Sequence, residues 1–146
     1  PNDFDFYLYD DTYYICKPSN FENILQLLDQ FLESTHEAEE IVTNNIPMKN
    51  AQELFESIRN RESLIRKVHH AHQQRNLSDL SMQDVKRAIN EYNADGLMIE
   101  KDEDEGERLA VPDKRKIWDL VDLLNDSFVQ SEFTNHRYRS REKKPV

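Results

Sequence analysis

Glycine, cysteine and long apolar runs are all scarce in this sequence, and each scarcity excludes a class of protein. The two glycines, Gly96 and Gly106, cannot form a G-x-G-x-x-G or Walker-type loop, which excludes the commonest nucleotide-binding folds. The single Cys16 rules out a disulfide within the chain and fits a reducing compartment. No apolar run approaches the roughly 20 residues that cross a bilayer, and the acidic N-terminus is unlike a signal peptide. We therefore expect a cytoplasmic location.

Charge is abundant, and its two signs are segregated along the chain. The sequence holds 29 acids against 19 bases, a net charge of −10, and twelve of the acids but only two bases lie in residues 1–56. Residues 57–75 hold five bases against the single acid Glu62, and the last ten residues hold five bases against Glu142. The overall acidity argues against non-specific adhesion to nucleic acid or anionic lipid, but it permits one local basic patch.

The apolar periodicity predicts one α+β domain over residues 1–146. An aromatic hairpin at residues 4–17, with a turn at Asp10-Asp11, precedes several helices, a second hairpin at residues 97–111, another helix and a terminal strand. We expect four to five helices packed against a small mixed or antiparallel sheet made of the two hairpins and the terminal strand. The helices are predicted to begin near Ser19, Asn50, Asn60, Ser81 and Asp113.

The same periodicity predicts which side chains form the core. The helix that begins at Ser19 is expected to continue until Pro47 ends it, and its first half is expected to pack on the sheet through an apolar face of Phe21, Ile24, Leu25, Leu28, Phe31 and Leu32. The core should include most of Phe4, Phe6, Leu25, Leu28, Trp118, Leu120, Val121 and Leu124.

Three groups of residues suggest metal or catalytic chemistry, but none has the required spacing. His69 and His72 share a helix face without the i, i+4 spacing of H-E-x-x-H zinc sites. The acidic run at residues 100–107 departs from the calcium-loop pattern. Asp10 or Asp11 followed by Lys17 only loosely matches the carboxylate and lysine set of metal nucleases. We therefore expect no catalytic residue, no metal and no cofactor, with a degenerate nuclease as one alternative.

The basic C-terminal segment is the candidate nucleic-acid-binding site. If it is a strand, side chains alternate, so that Arg137, Arg139, Arg141 and Lys143 project to one side about 6.6–6.8 Å apart. This spacing is close to two steps of one DNA strand, and guanidinium groups suit phosphate contacts. With Lys144, these residues predict contact with DNA regardless of its sequence. Two alternatives remain open: the cations pair with the acids of residues 1–56, or they protect an edge strand from aggregation.

Two segments resemble a known family. Residues 116–146 look like the closing segment of the domain of unknown function in KwaB, from the bacterial Kiwa anti-phage defence system: a helix ending in "LLND", an aromatic, "S-E-h-T" and an aromatic strand ending in a base. The motif is carried by Leu123, Leu124, Asn125, Asp126, Phe128, Ser131, Glu132, Thr134, Tyr138 and Lys143. The opening "FDFYLYDDTYYICKPSNFENIL" is similar to the start of that family's region.

The resemblance implies a non-enzymatic role in phage defence, with binding to DNA and cooperation with a membrane-embedded partner. It gives no catalytic residue and implies no small-molecule substrate. It also implies that the chain is the C-terminal half of a longer protein and that recruitment to the inner face of the membrane occurs through the partner. The main alternative is an oligomerisation domain whose aromatic strands and tail form the subunit interface of a homo-oligomer.

Overall fold

The computed structural model describes residues 6–17, 27–74, 77–102 and 106–140. Within these ranges lie six strands, five α-helices and two short 3-10 turns, at Leu77–Asp79 and Lys114–Lys116. In chain order the strands and helices are β1 (Phe6–Tyr9), β2 (Thr12–Ile15), α1 (Leu27–Asn45), α2 (Ala51–Arg59), α3 (Glu62–Gln74), α4 (Met82–Tyr92), β3 (Met98–Asp102), β4 (Gly106–Ala110), α5 (Trp118–Leu124), β5 (Phe128–Gln130) and β6 (Arg137–Arg139).

The α+β class is confirmed, but the strands are arranged as three separate sheets. In the described residues each sheet is an antiparallel pair: β1 with β2, β3 with β4, and β5 with β6. The terminal strand β6 therefore does not join the two predicted hairpins. It pairs with β5, which the sequence pattern missed because only three residues form that strand.

The core lies between the helices. Helix α1 packs most extensively against α3, α2 contacts both, and α3 also contacts α5. The predicted inner faces of α2 and α3 are confirmed, since every apolar side chain assigned to them is buried: Leu54, Phe55, Ile58, Leu64, Ile65, Val68 and Ala71. In α5 the predicted core residues Leu120, Val121 and Leu124 are likewise buried.

The ends of the helices follow from local sequence. Helix α1 ends at Asn45, two residues before Pro47, which cannot continue a helix. At the start of α4, the Asp84 carboxylate accepts a hydrogen bond from the Ser81 backbone N–H at 2.9 Å, as in a capping box. Asn93 then ends α4 with a left-handed φ of 53°, a conformation that asparagine tolerates better than most residues.

The second hairpin is fixed to the helical core through its backbone. The Leu109 N–H donates to the Pro47 carbonyl, and the Leu109 carbonyl accepts from the Lys49 N–H, both at 2.8 Å. These bonds occupy the outer edge of β4 and secure the connection between α1 and α2. Leu109 itself is fully buried, so the hairpin contributes directly to the core.

The first hairpin pairs as predicted but does not contribute to the described core. Asp10 and Asp11 form its turn with φ of 49° and 54°, as a two-residue type I′ connection requires. Every described side chain from Tyr7 to Ile15 is exposed. The predicted packing of the first helix on this sheet rests partly on Phe21, Ile24 and Leu25, which lie outside the described residues.

Two predicted core residues are exposed instead. Leu28 is 40% exposed because the buried positions of α1 begin further along, at Ser34, Thr35, Ala38 and Val42. Trp118 is also 40% exposed, since the 3-10 turn before α5 makes it the first residue of the helix, beside the stripe that is buried.

Several predictions fall outside the described residues. They concern Phe4, Leu25 and the cap at Ser19, together with the side chain of Phe6. As for membranes, none of the described helices combines the length and apolar character that a transmembrane span needs.

Candidate nucleic-acid interface

Strand β6 places two of the predicted arginines on one side of the last hairpin. Arg137 and Arg139 are two residues apart in a strand, so their side chains project to the same face, with Tyr138 opposite. The face is fixed by pairing with β5, in which Gln130 lies across from Arg137 and Phe128 across from Arg139. The predicted shared face of these two arginines is thus confirmed.

An aromatic pair lies beneath these arginines. The rings of Tyr92, from the end of α4, and Phe128, from β5, lie 5.4 Å apart between centroids. The guanidinium of Arg137 lies 6.0 Å from the Tyr92 ring and that of Arg139 lies 5.4 Å from the Phe128 ring. At such distances the negative face of the ring attracts the guanidinium, which still has N–H donors that can form hydrogen bonds.

Helix α4 adds a third arginine to this cluster. The guanidinium of Arg87 lies 5.9 Å from the Tyr92 ring, and its side chain is 56% exposed. We call Arg87, Arg137 and Arg139 the arginine face. Sequence reasoning missed Arg87, although its i, i+4 spacing to Glu91 on a predicted helix marks a charged, solvent-facing stripe.

Carboxylates position all three arginines. Glu91 Oε2 lies 3.2 Å from Arg137 Nη2 and 3.8 Å from Arg87 Nε, so one acid bridges the two. Arg139 Nη1 lies 2.6 Å from Asp119 Oδ1 and 3.8 Å from Asp122 Oδ2. Among the described residues, the carboxylate partners of the β6 arginines therefore come from α4 and α5. Neither arginine is shown paired with an acid of residues 1–56, as one alternative had expected.

Arg139 is the most firmly held of the three. Besides its pair with Asp119, its Nη2 donates to the Asn93 carbonyl at 3.0 Å. Asp119 is nearly buried, and its second oxygen accepts from the Gly96 backbone N–H at 2.6 Å. Arg139 thus joins β6 to the end of α4 and to α5, whereas the ion pair of Arg137 is with the partly exposed Glu91.

Three of the predicted cations follow strand β6. Arg141, Lys143 and Lys144 lie outside the described residues, so their part in the interface stays a prediction.

The histidine cluster of α3 contacts α1. His69 Nδ1 lies 2.9 Å from Ser34 Oγ, and its ring lies 4.6 Å from that of Phe31. Burial, followed by repulsion from the neighbouring His72 and His70, lowers the pKa of His69 below its usual value. His72 Nε2 lies 3.3 Å from Glu37 Oε2. Both contacts stabilise the packing of α3 on α1.

No metal centre is found in the part of the chain that the structure describes. There, no three side chains among histidine, cysteine, aspartate and glutamate come together as a metal site would require. The tip of the acidic loop at residues 103–105 lies outside that part.

A groove of about 700 Å³ borders the arginine face. Among the described residues it is lined by Lys67 of α3, Trp118 and Asp122 of α5, and Arg139 of β6. Arg139 therefore belongs to the arginine face and to the groove. Trp118 is the one uncharged residue among these four, and its side chain is partly exposed.

Comparison with known families identifies the chain. The family model described as Kiwa protein KwaB-like matches residues 1–134. This chain belongs to the KwaB-like family. Membership confirms the resemblance and associates the domain with Kiwa antiviral defence. No curated protein and no solved structure matches the chain. The family match includes Arg87, Trp118 and Asp119 but ends before Arg137, so the β6 arginines lie beyond the matched residues.

Proposed function

We propose that this KwaB-like domain contributes to phage defence by contacting the backbone of DNA, without chemistry of its own. The observation that carries the proposal is the arginine face, where three guanidinium groups from α4 and β6 surround one aromatic pair. Arginine suits phosphate because its planar group offers five N–H donors in a fixed arrangement. Contacts of this kind carry little sequence information, so binding should be similar for unrelated sequences.

The carboxylates beneath the arginines set the strength of this contact. Glu91 uses only part of the donor capacity of Arg87 and Arg137 and holds both in place. A phosphate would approach their outer edges, but each acid also reduces the local positive potential. We therefore expect modest affinity with strong salt dependence. The acids of residues 1–56 should repel DNA from other surfaces and favour this orientation.

The test compares variants that lose the same charge from different places. Arg87→Gln/Arg137→Gln removes two cations from the arginine face. Lys114→Gln/Arg115→Gln removes two exposed cations that pair with Glu53 and Asp113 elsewhere. We expect only the first pair to weaken duplex binding and to reduce the slope of log affinity against log salt by about 0.9 per lost contact.

Equal losses from both pairs would show that net charge, not this face, governs binding. Binding to labelled duplex that does not depend on salt would overturn the proposal outright. Strand cleavage on addition of magnesium would instead support a nuclease function.

A second candidate function is assembly with other proteins, favoured by the first hairpin. Its strands expose six large apolar side chains: Tyr7, Leu8, Tyr9, Tyr13, Tyr14 and Ile15. An uncharged, exposed strand edge pairs readily with another copy, which would give a homo-oligomer. The membrane-embedded Kiwa partner is the other proposed contact. Tyr9→Lys/Tyr13→Lys should abolish a dimer that analytical ultracentrifugation detects in the unaltered protein. If the unaltered protein is monomeric, self-assembly is excluded.

A further inference from the structure

Trp118 differs from its neighbours in α5 because its side chain faces a groove. Leu120 and Val121 are buried, whereas Trp118 is 40% exposed and lines the groove of about 700 Å³. It is the only tryptophan of the chain. An indole offers a large flat apolar surface, and a concave site around it suits a planar ligand better than open water.

The other groove residues have complementary polar chemistry. Asp122 lies one helical turn after Trp118, so its carboxylate projects from the same side of α5 as the indole. Lys67 and Arg139 bring cations from α3 and β6. Asp122 Oδ2 lies 3.8 Å from Arg139 Nη1, a spacing that keeps both groups beside the groove. A fitting ligand thus has a flat ring, N–H donors at its edge and an anionic group.

We propose that this groove holds an unpaired nucleobase together with its phosphate. The base stacks on the Trp118 indole, as bases stack on aromatic side chains in single-strand-binding proteins. Asp122 accepts a hydrogen bond from an N–H group on the base edge, and Lys67 and Arg139 contact the phosphate. The volume suffices for a nucleotide, since sites for small ligands measure about 300–1,000 Å³.

The position of Arg139 links this site to the proposed DNA contact, on which the inference rests. Arg139 lies over Phe128 on the arginine face and also lines the groove. A strand whose phosphates contact Arg137 and Arg139 therefore passes the mouth of the groove. A base in a duplex is paired and stacked, so only an unpaired base can enter without a further cost. The site should make the domain prefer single strands.

The test uses Trp118 as its own probe, because no other tryptophan contributes to the fluorescence. The protein is titrated with a short single-stranded oligonucleotide, an abasic oligonucleotide of equal length, the matching duplex and a mononucleotide. Anisotropy of labelled strands measures binding independently. We expect the single strand to quench tryptophan emission, the abasic strand to bind without quenching, and the duplex to bind more weakly than the single strand.

A variant separates stacking from phosphate contact. Trp118→Ala should lower single-strand affinity about tenfold while leaving duplex and abasic affinity unchanged. Trp118→Phe should retain part of the preference. Because Trp118 is partly exposed, both variants should fold, which circular dichroism checks. Equal losses for single strand and abasic strand would overturn stacking at Trp118.

The outcomes distinguish this inference from the proposed function. Saturable binding of single strands without quenching would overturn the groove site and leave the arginine face intact. Quenching by the mononucleotide, without binding of any strand, would support the base site and overturn the DNA proposal. If the mononucleotide and the strand both quench the emission and bind with equal affinity per nucleotide, the base site is supported and its ligand is a free nucleotide. The absence of both binding and quenching would overturn both proposals.

Discussion

Arg139 Nη1 lies 2.6 Å from Asp119 Oδ1, and this pair connects the last hairpin to α5. The second oxygen of Asp119 accepts the Gly96 N–H, so one nearly buried carboxylate connects three segments that are distant in sequence. Losing it would leave a shielded N–H group without an acceptor and a guanidinium without its counter-charge.

We expect Asp119→Ala to lower the free energy of unfolding by about 2–3 kcal/mol, because the Gly96 N–H and the Arg139 guanidinium both lose their acceptor. Asp119→Asn should cost about 1 kcal/mol, because an amide oxygen can still accept one bond. The exposed Glu132 offers a matched control, and Glu132→Gln should change stability by less than about 0.5 kcal/mol. Urea denaturation measures all three. Equal effects of Asp119→Ala and Glu132→Gln would contradict the role of this carboxylate.

The two glycines should differ in their tolerance of a side chain. A Cβ at Gly96 would lie 2.7 Å from the Lys116 carbonyl oxygen and 2.8 Å from Asp119 Oδ2, so the backbone would have to shift. We expect Gly96→Ala to cost about 2 kcal/mol or more. At Gly106 the space is open but φ is +80°, so Gly106→Ala should cost about 1 kcal/mol through strain alone. Thermal unfolding that ranks them in the opposite order would contradict the close packing at Gly96.

Sequence periodicity predicted the helices well because their packing depends on repeated apolar positions. The inner faces of α2 and α3 carry these positions at regular spacing, and burial follows the spacing. Trp118 was misplaced because hydrophobicity was taken to imply burial. In the structure Trp118 is the first residue of α5 and lies beside the buried stripe of Leu120 and Leu124.

The candidate site was predicted only in part, since its other components depend on tertiary structure. Alternation in a strand sufficed to place Arg137 and Arg139 on one face. Their contacts with Tyr92 and Asp119 depend on the hairpin of β5 and β6 packing against α4 and α5, which no local pattern encodes. The presence of Arg87 in the cluster has the same origin.

The revised core can be tested by two truncations. Phe55 is fully buried between helices, so Phe55→Ala should cost about 3–5 kcal/mol through lost burial and the cavity left behind. Leu28 was predicted to be buried but is 40% exposed, so Leu28→Ala should cost less than about 1 kcal/mol. Chemical denaturation monitored by circular dichroism gives both values. A cost at Leu28 approaching that at Phe55 would show that this part of α1 is buried in solution.

Stability should decline as pH falls below the ordinary pKa of histidine, in part because of His69. Its pKa in the folded protein is lowered from 6.5 mainly by burial, so the unfolded chain binds the proton more readily. The contribution of neutral His69 to the free energy of unfolding is therefore fully present above pH 6.5. It is lost as pH falls through the pKa of His69 in the folded protein. Imidazole NMR should give a His69 midpoint below 6.5 in the folded protein. His69→Gln should make stability decline less steeply over this pH range. The neighbouring His70, His72 and Glu37 also influence that decline. A folded midpoint at or above that of the urea-unfolded chain would contradict the prediction.

The two β6 arginines should separate stability from binding. Arg139 donates to Asp119 and to the Asn93 carbonyl, so Arg139→Gln should lower the free energy of unfolding by about 2 kcal/mol.

Arg137 forms an exposed pair with Glu91, and Arg137→Gln should change stability by less than about 1 kcal/mol. If phosphates contact the arginine face, Arg137→Gln should still weaken DNA binding and reduce the salt slope by about 0.9, with only a small change in melting temperature. Arg137→Lys keeps the charge but loses the guanidinium that lies over the Tyr92 ring, and it should restore most of the salt slope. Unchanged DNA binding in Arg137→Gln, together with the stability loss in Arg139→Gln, would mean that these arginines serve the fold alone.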